Sequence, residues 1–431
     1  MVKKIRQCRA LDGEITPAGD KSISHRAILF NAIARGQAKI TNLAPGADCM
    51  SMMTCLQALG VKISLDVSSN GVIVEGRGHR GLVEAEGVLD AGNSATTMRL
   101  LTGLLAAQPF FSVMTGDSSL RSRPMDRVIQ PLRLMGASIW GRGKDRLAPL
   151  AIRGGGLVGI KYKLPVASAQ LKSAVLVAGL FAEGRTTVTE IVPSRDHTER
   201  LLKAMGAKID KSDRHITIRP LVEDLNPVDM NVPGDISSAA YWLVAGAVHP
   251  HARIRVRSVG LNPTRTGIID VLKRMGAKIK VENERWEGGE PIADVVIESS
   301  ELQGIEIGGE IIPRLIDEIP VIAVAACVAR GTTVIRDAAE LRVKESDRIA
   351  GTAQELSKLG AKVEEVSDGM VIQGGTPLHG ALCSGRNDHR LAMALGIAGL
   401  IAEGETEVEQ SEAVDVSYPA FWSDMDRLGA W

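Results

Sequence analysis

Two carboxylates and a scatter of cations at helix starts carry whatever chemistry this chain performs. Near the N-terminus, Pro17-Ala18-Gly19-Asp20-Lys21-Ser22 is a turn that opens a helix over 23–34. Asp20 or Ser22 can cap it, and Ser22 and Arg26 share its face. A helix start offers free backbone N–H groups and partial positive charge, which suits carboxylate or phosphate. The same device recurs along the chain. Asn93-Ser94-Ala95-Thr96 puts small residues at a second helix start, with Arg99 one turn on, and Arg123-Pro124 closes the polar, arginine-rich loop that follows. Ser168-Ala169-Gln170 opens a long aliphatic helix, which Ser168 and Gln170 are expected to cap, and Arg195 stands at the next helix start. Arg390 follows Asn387-Asp388-His389 at the last. Between them lie Asp317, placed to N-cap a helix with Pro320 in its first turn, and Leu341–Arg348, whose Lys344 and Arg348 fall four apart on a helix face around Glu345.

Each stretch alone also reads as a capped helix with solvated charges, and for Asp317 structural capping and catalysis stay equally open. Together they share one feature, a Lys or Arg offered at helix starts in equivalent positions of several units. Arginine forks fit carboxylate and phosphate oxygens two at a time. The expectation is a cleft that gathers these cations around small polyanionic substrates. The sequence holds no GxxxxGK[ST], no GxGxxG, no HExxH and no Cys/His cluster, so neither a nucleotide loop nor a metal is expected.

The elements that position these residues repeat. Leu272–Ile279 reads LKRMGAKI, with echoes at Leu56–Ile63, Leu132–Ile139, Leu202–Ile209 and Leu356–Val363, and a sixth, cut short, at 425–431. Each sets two large apolar residues on one helical face and follows them with glycine: Gly60, Gly136, Gly206, Gly276, Gly360 and Gly429. Glycine there can take the left-handed conformation that ends a helix, and alternating strand residues follow most copies. A second echo in phase closes an apolar helix at Ala34-Arg35-Gly36, Ala182-Glu183-Gly184, Ala329-Arg330-Gly331 and Ala402-Glu403-Gly404. The spacing of about 70 to 84 residues exceeds that of ordinary solenoids and suits small α/β units with sheets of their own. The break at Asn231-Val232-Pro233-Gly234 looks like a crossing between two domains of three units.

The 431 residues are 45% hydrophobic but only 3% aromatic, so the cores are aliphatic, with closely packed Ala/Gly-rich helices. Lys+Arg and Asp+Glu number 51 each, which argues against nucleic acid as partner while leaving room for a local anion site. Five cysteines without CxxC spacing read as reduced, buried thiols of a cytoplasmic protein. The start shows no signal region, and the apolar runs are too short to span a membrane.

The combination of Gly19–Arg26, Gly92–Thr96, Arg123-Pro124, Ser168–Gln170, Leu341–Arg348 and Asp388–Arg390 resembles the 5-enolpyruvylshikimate-3-phosphate synthase family of enolpyruvyl transferases, over essentially the full length. The resemblance implies an α/β fold, a two-domain inside-out α/β barrel with three βαβαββ repeats per domain. One domain would hold 1–19 and 232–431, the other 20–231. It implies transfer of the enolpyruvyl group of phosphoenolpyruvate to the 5-hydroxyl of shikimate 3-phosphate with release of phosphate, on the route to chorismate and the aromatic amino acids, by a cofactor-free monomer. Lys21, Ser22, Arg26, Ser168, Ala169, Gln170, Arg195, Asp317 and Lys344 would hold shikimate 3-phosphate. Lys21, Asn93, Ala95, Arg123, Gln170, Arg348 and Arg390 would hold phosphoenolpyruvate. Asp317 would take the hydroxyl proton, and Glu345, with Lys21, would protonate the methylene carbon.

Two departures stand out. Many members have Gly at Ala95, where Ala goes with tolerance to glyphosate, so weak glyphosate inhibition is expected. Many also carry a Lys at Val416, so one phosphoenolpyruvate cation is missing or replaced. The alternatives are a UDP-N-acetylglucosamine enolpyruvyl transferase, whose reactive Cys is absent from 116–122, and a non-catalytic repeat scaffold.

Overall fold

The computed structural model describes residues 1–66 and 71–430. The chain divides into two compact units: Met1–Ala18 with Pro233–Trp286 and Pro291–Trp431, and Gly19–Val232 with the short segment Glu287–Glu290. The second will be called the inner-sequence unit and the first the outer-sequence unit.

One repeat of the inner-sequence unit shows the plan. Strand Leu89–Asp90, helix Ala95–Ala106, strand Phe111–Thr115, helix Asp126–Leu134 and strands Ser138–Gly141 and Leu147–Arg153 follow in order, with a short turn of helix, Arg142–Asp145, before the last. The first two strands pair in parallel, the last adds antiparallel beside the second, and Ser138–Gly141 takes the edge. That is a βαβαββ unit. The repeat starting with Lys161–Lys163 has the same strand order. The repeat containing Arg35–Thr41 borrows its parallel edge strand, Met230–Asn231, from the far end of the unit, which closes the ring of repeats. In the outer-sequence unit the N-terminus does the borrowing: Ala10–Ile15 pairs in parallel with Ala252–Gly260, and Val2–Arg6 pairs antiparallel with Glu405–Glu409.

In every repeat the first helix is buried and the second is amphipathic. Helices Lys21–Ile33, Ala95–Ala106 and Ala169–Gly179 pack in the core of the inner-sequence unit, and Ile236–Val248, Ile319–Val328 and His389–Gly399 in that of the outer-sequence unit. A helix apolar all round has to be enclosed. Sheets therefore lie outside and helices inside, the reverse of a usual barrel. Small residues let the helices approach: a Cβ on Gly103 would stand 2.8 Å from the Cα of Ala174 in the neighbouring helix.

The glycine stops behave alike in five echoes and differently in the sixth. Gly60, Gly136, Gly206, Gly276 and Gly360 have φ between +87° and +107°. In each, the glycine N–H bonds the carbonyl three back, and the next N–H reaches the leucine five back, as in Ala277 to Leu272 at 2.9 Å. That is a Schellman stop. Gly429 instead has φ −79° and enters strand Gly429–Ala430 beside Ala10–Leu11. The strand pairing replaces the left-handed turn, and Trp431, the end of that echo, lies outside the described residues.

Candidate functional site

In the inner-sequence unit, Asp20 caps the first helix by accepting from Ile23 N (2.9 Å), leaving Lys21 and Ser22 in its first turn. Lys21 Nζ pairs with Asp48 at 3.1 Å. Arg26, one turn further on, is buried and donates to three neutral oxygens: Thr198 Oγ1 (2.7 Å), the Ser22 carbonyl (2.8 Å) and Ser173 Oγ (2.8 Å). Burial pulls this guanidinium down to about 10, and the positive charge of Arg195 acts the same way against the pull of Glu199 and Asp20. Ser173 passes its own proton to the Ala169 carbonyl (2.7 Å), which fixes Thr198 as the donor in the 2.7 Å Ser173–Thr198 bond.

The second and third buried helices meet the same neighbourhood. Ser94 caps helix Ala95–Ala106, so Ala95 is its first residue. Gln170 does not cap the next helix, as the sequence suggested. Ser168 alone does so, accepting from Leu171 N, while Gln170 donates to Thr96 Oγ1 (2.9 Å) and accepts from Arg99. Arg123 Nη2 lies 3.4 Å from Asn93 Oδ1, and Asn93 in turn donates to Asp117 (2.6 Å). Arg195 stands one residue before the N-cap Asp196 rather than inside the first turn of helix His197–Ala204.

The outer-sequence unit collects carboxylates around one arginine. Arg348, only 1% exposed, begins helix Arg348–Lys358 behind the N-cap Asp347. Its Nε donates to Asp388 Oδ2 (2.8 Å), its Nη2 to Glu345 Oε2 (2.6 Å) and Asp388 Oδ1 (3.2 Å), and its Nη1 to Asp317 Oδ1 (3.3 Å). Burial works against its charge, yet Glu345 and Asp388 outweigh that and hold its pKa above the ordinary arginine range. Asp388 is correspondingly lowered, because Arg348 overcomes the cost of burying it. Arg390 is 3.8 Å from Asp317 Oδ2 and donates to the Asp317 carbonyl (3.3 Å), while Lys344 Nζ is 3.9 Å from Asp317 Oδ1.

Two expectations fail here. Asp317 does not cap helix Ile319–Val328. Glu318 occupies the N-cap, and Asp317 lies in the short 3-10 turn Ile316–Glu318, turned toward the cations. Nor do Lys344 and Arg348 share a helix face: Lys344 is extended at the end of the 3-10 turn Ala339–Val343, and Arg348 starts the next helix. Asp347 caps the helix, accepting from Ile349 N (3.1 Å) and Ala350 N (3.0 Å), so the helix begins only at Arg348. In both cases local helical spacing gave way to a bend that brings the carboxylates onto Arg348.

Sequence reading also missed supporting residues. Lys172 is wholly enclosed and pairs with Glu199 (2.7 Å) and Glu190 (3.0 Å), while Glu190 holds Ser194 N (2.9 Å) beside Arg195. Burial works against its charge, but Glu199 and Glu190 hold its pKa above the ordinary lysine value. A lysine inside an otherwise apolar helix was the available signal. Asp48, Thr198 and Asp388 left none as sharp. Among the described residues no cluster of His, Cys, Asp and Glu is arranged to hold a metal ion, and no helix is long and apolar enough to cross a membrane.

A repeat fold that buries arginines at helix starts, with paired carboxylates beside them, belongs with enzymes that handle small anions. Comparison narrows that class. A family model described as EPSP synthase (3-phosphoshikimate 1-carboxyvinyltransferase) matches residues 5–425. The 3-phosphoshikimate 1-carboxyvinyltransferase of Desulforamulus reducens is 54% identical over 418 residues, 97% of each chain. That of Herpetosiphon aurantiacus is 53% identical over 430 residues, 99% of each. Among solved structures, EPSP synthase from Acinetobacter baumannii superposes with a TM-score of 0.91 at 44% identity, covering 100% of this chain and 98% of that one. The chain belongs to the EPSP synthase family.

Proposed function

We propose that this chain transfers the carboxyvinyl group of phosphoenolpyruvate to the 5-hydroxyl of shikimate 3-phosphate, releasing phosphate, in aromatic amino acid biosynthesis. Family membership supports the reaction, and the observation that carries the assignment of roles is Asp317 and Glu345 held on one buried guanidinium. The reaction needs a base for the hydroxyl and an acid for the methylene carbon, at separate places. Asp317 takes the proton of the 5-hydroxyl as its oxygen bonds to C2 of phosphoenolpyruvate, and Glu345, with Lys21, delivers a proton to C3. In the second step a proton leaves the new methyl group and the C2–O bond to phosphate breaks. Cations on the leaving phosphate favour that step by stabilising the charge that develops.

Lys21, Ser22, Arg26, Ser168, Ala169, Gln170, Arg195, Asp317 and Lys344 are assigned to shikimate 3-phosphate. Lys21, Asn93, Ala95, Arg123, Gln170, Arg348 and Arg390 are assigned to phosphoenolpyruvate. Arg348 supports its assignment best through its contact with Glu345: an incoming anion competes for that guanidinium, and a Glu345 released from it is easier to protonate. We place the enzyme in the cytoplasm, where its five free, buried cysteines stay reduced, and take it to act as a monomer.

Phosphate release measured with phosphoenolpyruvate and each acceptor tests the reading. Turnover with shikimate 3-phosphate and none with UDP-N-acetylglucosamine is expected. Turnover only with the sugar nucleotide, or with neither, would refute it.

A further inference from the structure

We infer that His25 is a positioning residue that fixes the distance between Lys21 and the start of the Ala95–Ala106 helix, and thereby shapes the phosphoenolpyruvate side of the site proposed above. His25 is wholly enclosed. Its Nδ1 stands 2.6 Å from the Lys21 carbonyl, and its Nε2 stands 3.2 Å from Ser94 Oγ. A carbonyl can only accept, so Nδ1 carries the hydrogen. In the neutral ring Nε2 is then the acceptor, and the Ser94 hydroxyl is its donor. Burial keeps the ring neutral by pushing its pKa down to about 4.

The two bonds belong to a closed ring of contacts. Lys21 Nζ meets Asp48 Oδ2 (3.1 Å), and Thr97 Oγ1 donates to the Asp48 carbonyl (3.2 Å). Thr97 N donates to Ser94 Oγ (3.1 Å), which donates to His25, which donates back to the Lys21 carbonyl. Three of these contacts, Lys21–Asp48, Thr97–Asp48 and His25–Ser94, join the starts of helices Lys21–Ile33, Ala47–Ala58 and Ala95–Ala106 pairwise, and the other two close the ring within a helix. His25 links the backbone of Lys21 to the cap of the helix that begins with Ala95. The cap takes the Thr97 N–H, the Ala95 and Thr96 N–H groups have no carbonyl partner within the helix, and an anion shared between them and Lys21 needs the two at a fixed distance. Arg26, one residue on, is tied elsewhere, to Thr198 and Ser173, so the shikimate 3-phosphate side feels the ring only through the start of its helix, Lys21 and Ser22.

The pair of bonds can be cut one at a time. Asn31 in the same helix donates to the Ala27 carbonyl four residues back at 2.9 Å. H25N can donate to Lys21 in the same way while losing the Nε2 acceptor, and S94A removes the other end of that bond.

The test is steady-state phosphate release by the full chain, with each substrate varied in turn. H25A is expected to raise KM for phosphoenolpyruvate about tenfold, with a clearly smaller rise in KM for shikimate 3-phosphate and a smaller fall in kcat, both through Lys21. H25N should recover part of the loss. Because H25N and S94A cut one bond from its two ends, H25N/S94A should be no worse than S94A alone. This second cycle decides the matter even where H25A fails to fold. Equal shifts in both KM values, no recovery with Asn, or additive H25N and S94A effects would overturn the inference while leaving the wild-type reaction standing. A wild type that releases no phosphate from these substrates would take down the functional reading, and this inference with it.

Discussion

Arg26 and Arg348 are both buried arginines near helix starts, one in each unit, and they keep opposite company. Arg26 donates to a carbonyl and two hydroxyls, and burial leaves its pKa depressed to about 10. Arg348 donates to Asp388, Glu345 and Asp317, and the first two hold its pKa above normal despite burial. A buried cation whose hydrogen-bond acceptors are all neutral, with Glu199 and Asp20 acting on it only through charge, gains most from a phosphate or carboxylate that bonds it directly. A cation among carboxylates is already neutralised. Counting Lys344 and Arg390 with Arg348 against Asp317, Glu345 and Asp388, that cluster balances to zero. On the roles proposed above, the inner-sequence cluster would mainly bind, and the outer-sequence cluster would hold proton-transfer groups in place and exchange partners when an anion arrives.

The sharpest way to break this division is to remove the base. Asp317→Asn is expected to lower kcat by about 10²- to 10⁴-fold, the usual worth of a positioned general base, with KM for shikimate 3-phosphate changed little. Single-turnover phosphate release checks it. If D317N mainly raised KM, Asp317 would be a binding residue and the contrast would collapse. The counterpart in the other unit is Arg26→Gln. It should raise KM for shikimate 3-phosphate by roughly 30- to 100-fold, the loss of a charge-assisted hydrogen bond or two, with a smaller change in kcat.

How far the sequence reached differs between the same two clusters. The Schellman stops were legible because a leucine, three residues and a glycine define a helix end locally, and five of the six echoes obey. Gly429 departs because a strand partner, Ala10–Leu11, decided its conformation from the other end of the chain. Lys21, Ser22 and Ser168 were legible for the same local reason, helix-start chemistry. Asp317 and Lys344 were set in the wrong elements, because local helical spacing cannot foresee a 3-10 turn. Supporting contacts such as His25 to Ser94 or Lys172 to Glu199 join residues tens of positions apart. Periodicity carries no information about such pairs.

Acid should also separate the units. His25 is held near a pKa of about 4, below the ordinary histidine value. As pH falls below about 6.5 the unfolded chain takes up a proton that the folded one refuses, so stability is lost between about 6.5 and 4, by about 3 kcal/mol from this group. Asp388 acts in the same direction but at lower pH: its lowered folded pKa stabilises above about 4, and that contribution disappears only as pH falls further, through its folded value. Hydrogen exchange followed across pH 7 to 3 should show protection fading first in helix Lys21–Ile33 and later in helix Arg348–Lys358. H25N should remove the early stage. Simultaneous loss in both helices at all pH values would show that the two arginines' surroundings do not differ in the way proposed.

The smallest expected effect tests how firmly each unit holds its helices. A Cβ on Gly103 would come within 2.8 Å of the Ala174 Cα, backbone that can move only if a whole helix shifts. A Cβ on Gly396, in buried helix His389–Gly399 of the other unit, would also come within 2.8 Å of a neighbour, but that neighbour is the Trp422 ring edge. A half-buried indole held by one bond to the Ser411 carbonyl (3.1 Å) can turn aside. Overpacking of this kind costs about 1–3 kcal/mol. Gly103→Ala should lie at the upper end and Gly396→Ala at the lower, read as midpoint shifts in urea denaturation. Since helix Ala95–Ala106 carries the Ala95 start, G103A should raise KM for phosphoenolpyruvate as well as lower stability, and G396A, if Trp422 yields, should leave the Arg390 start and kcat nearly unchanged. Equal costs for the two would mean that the binding unit is no more rigidly packed than the unit that exchanges partners.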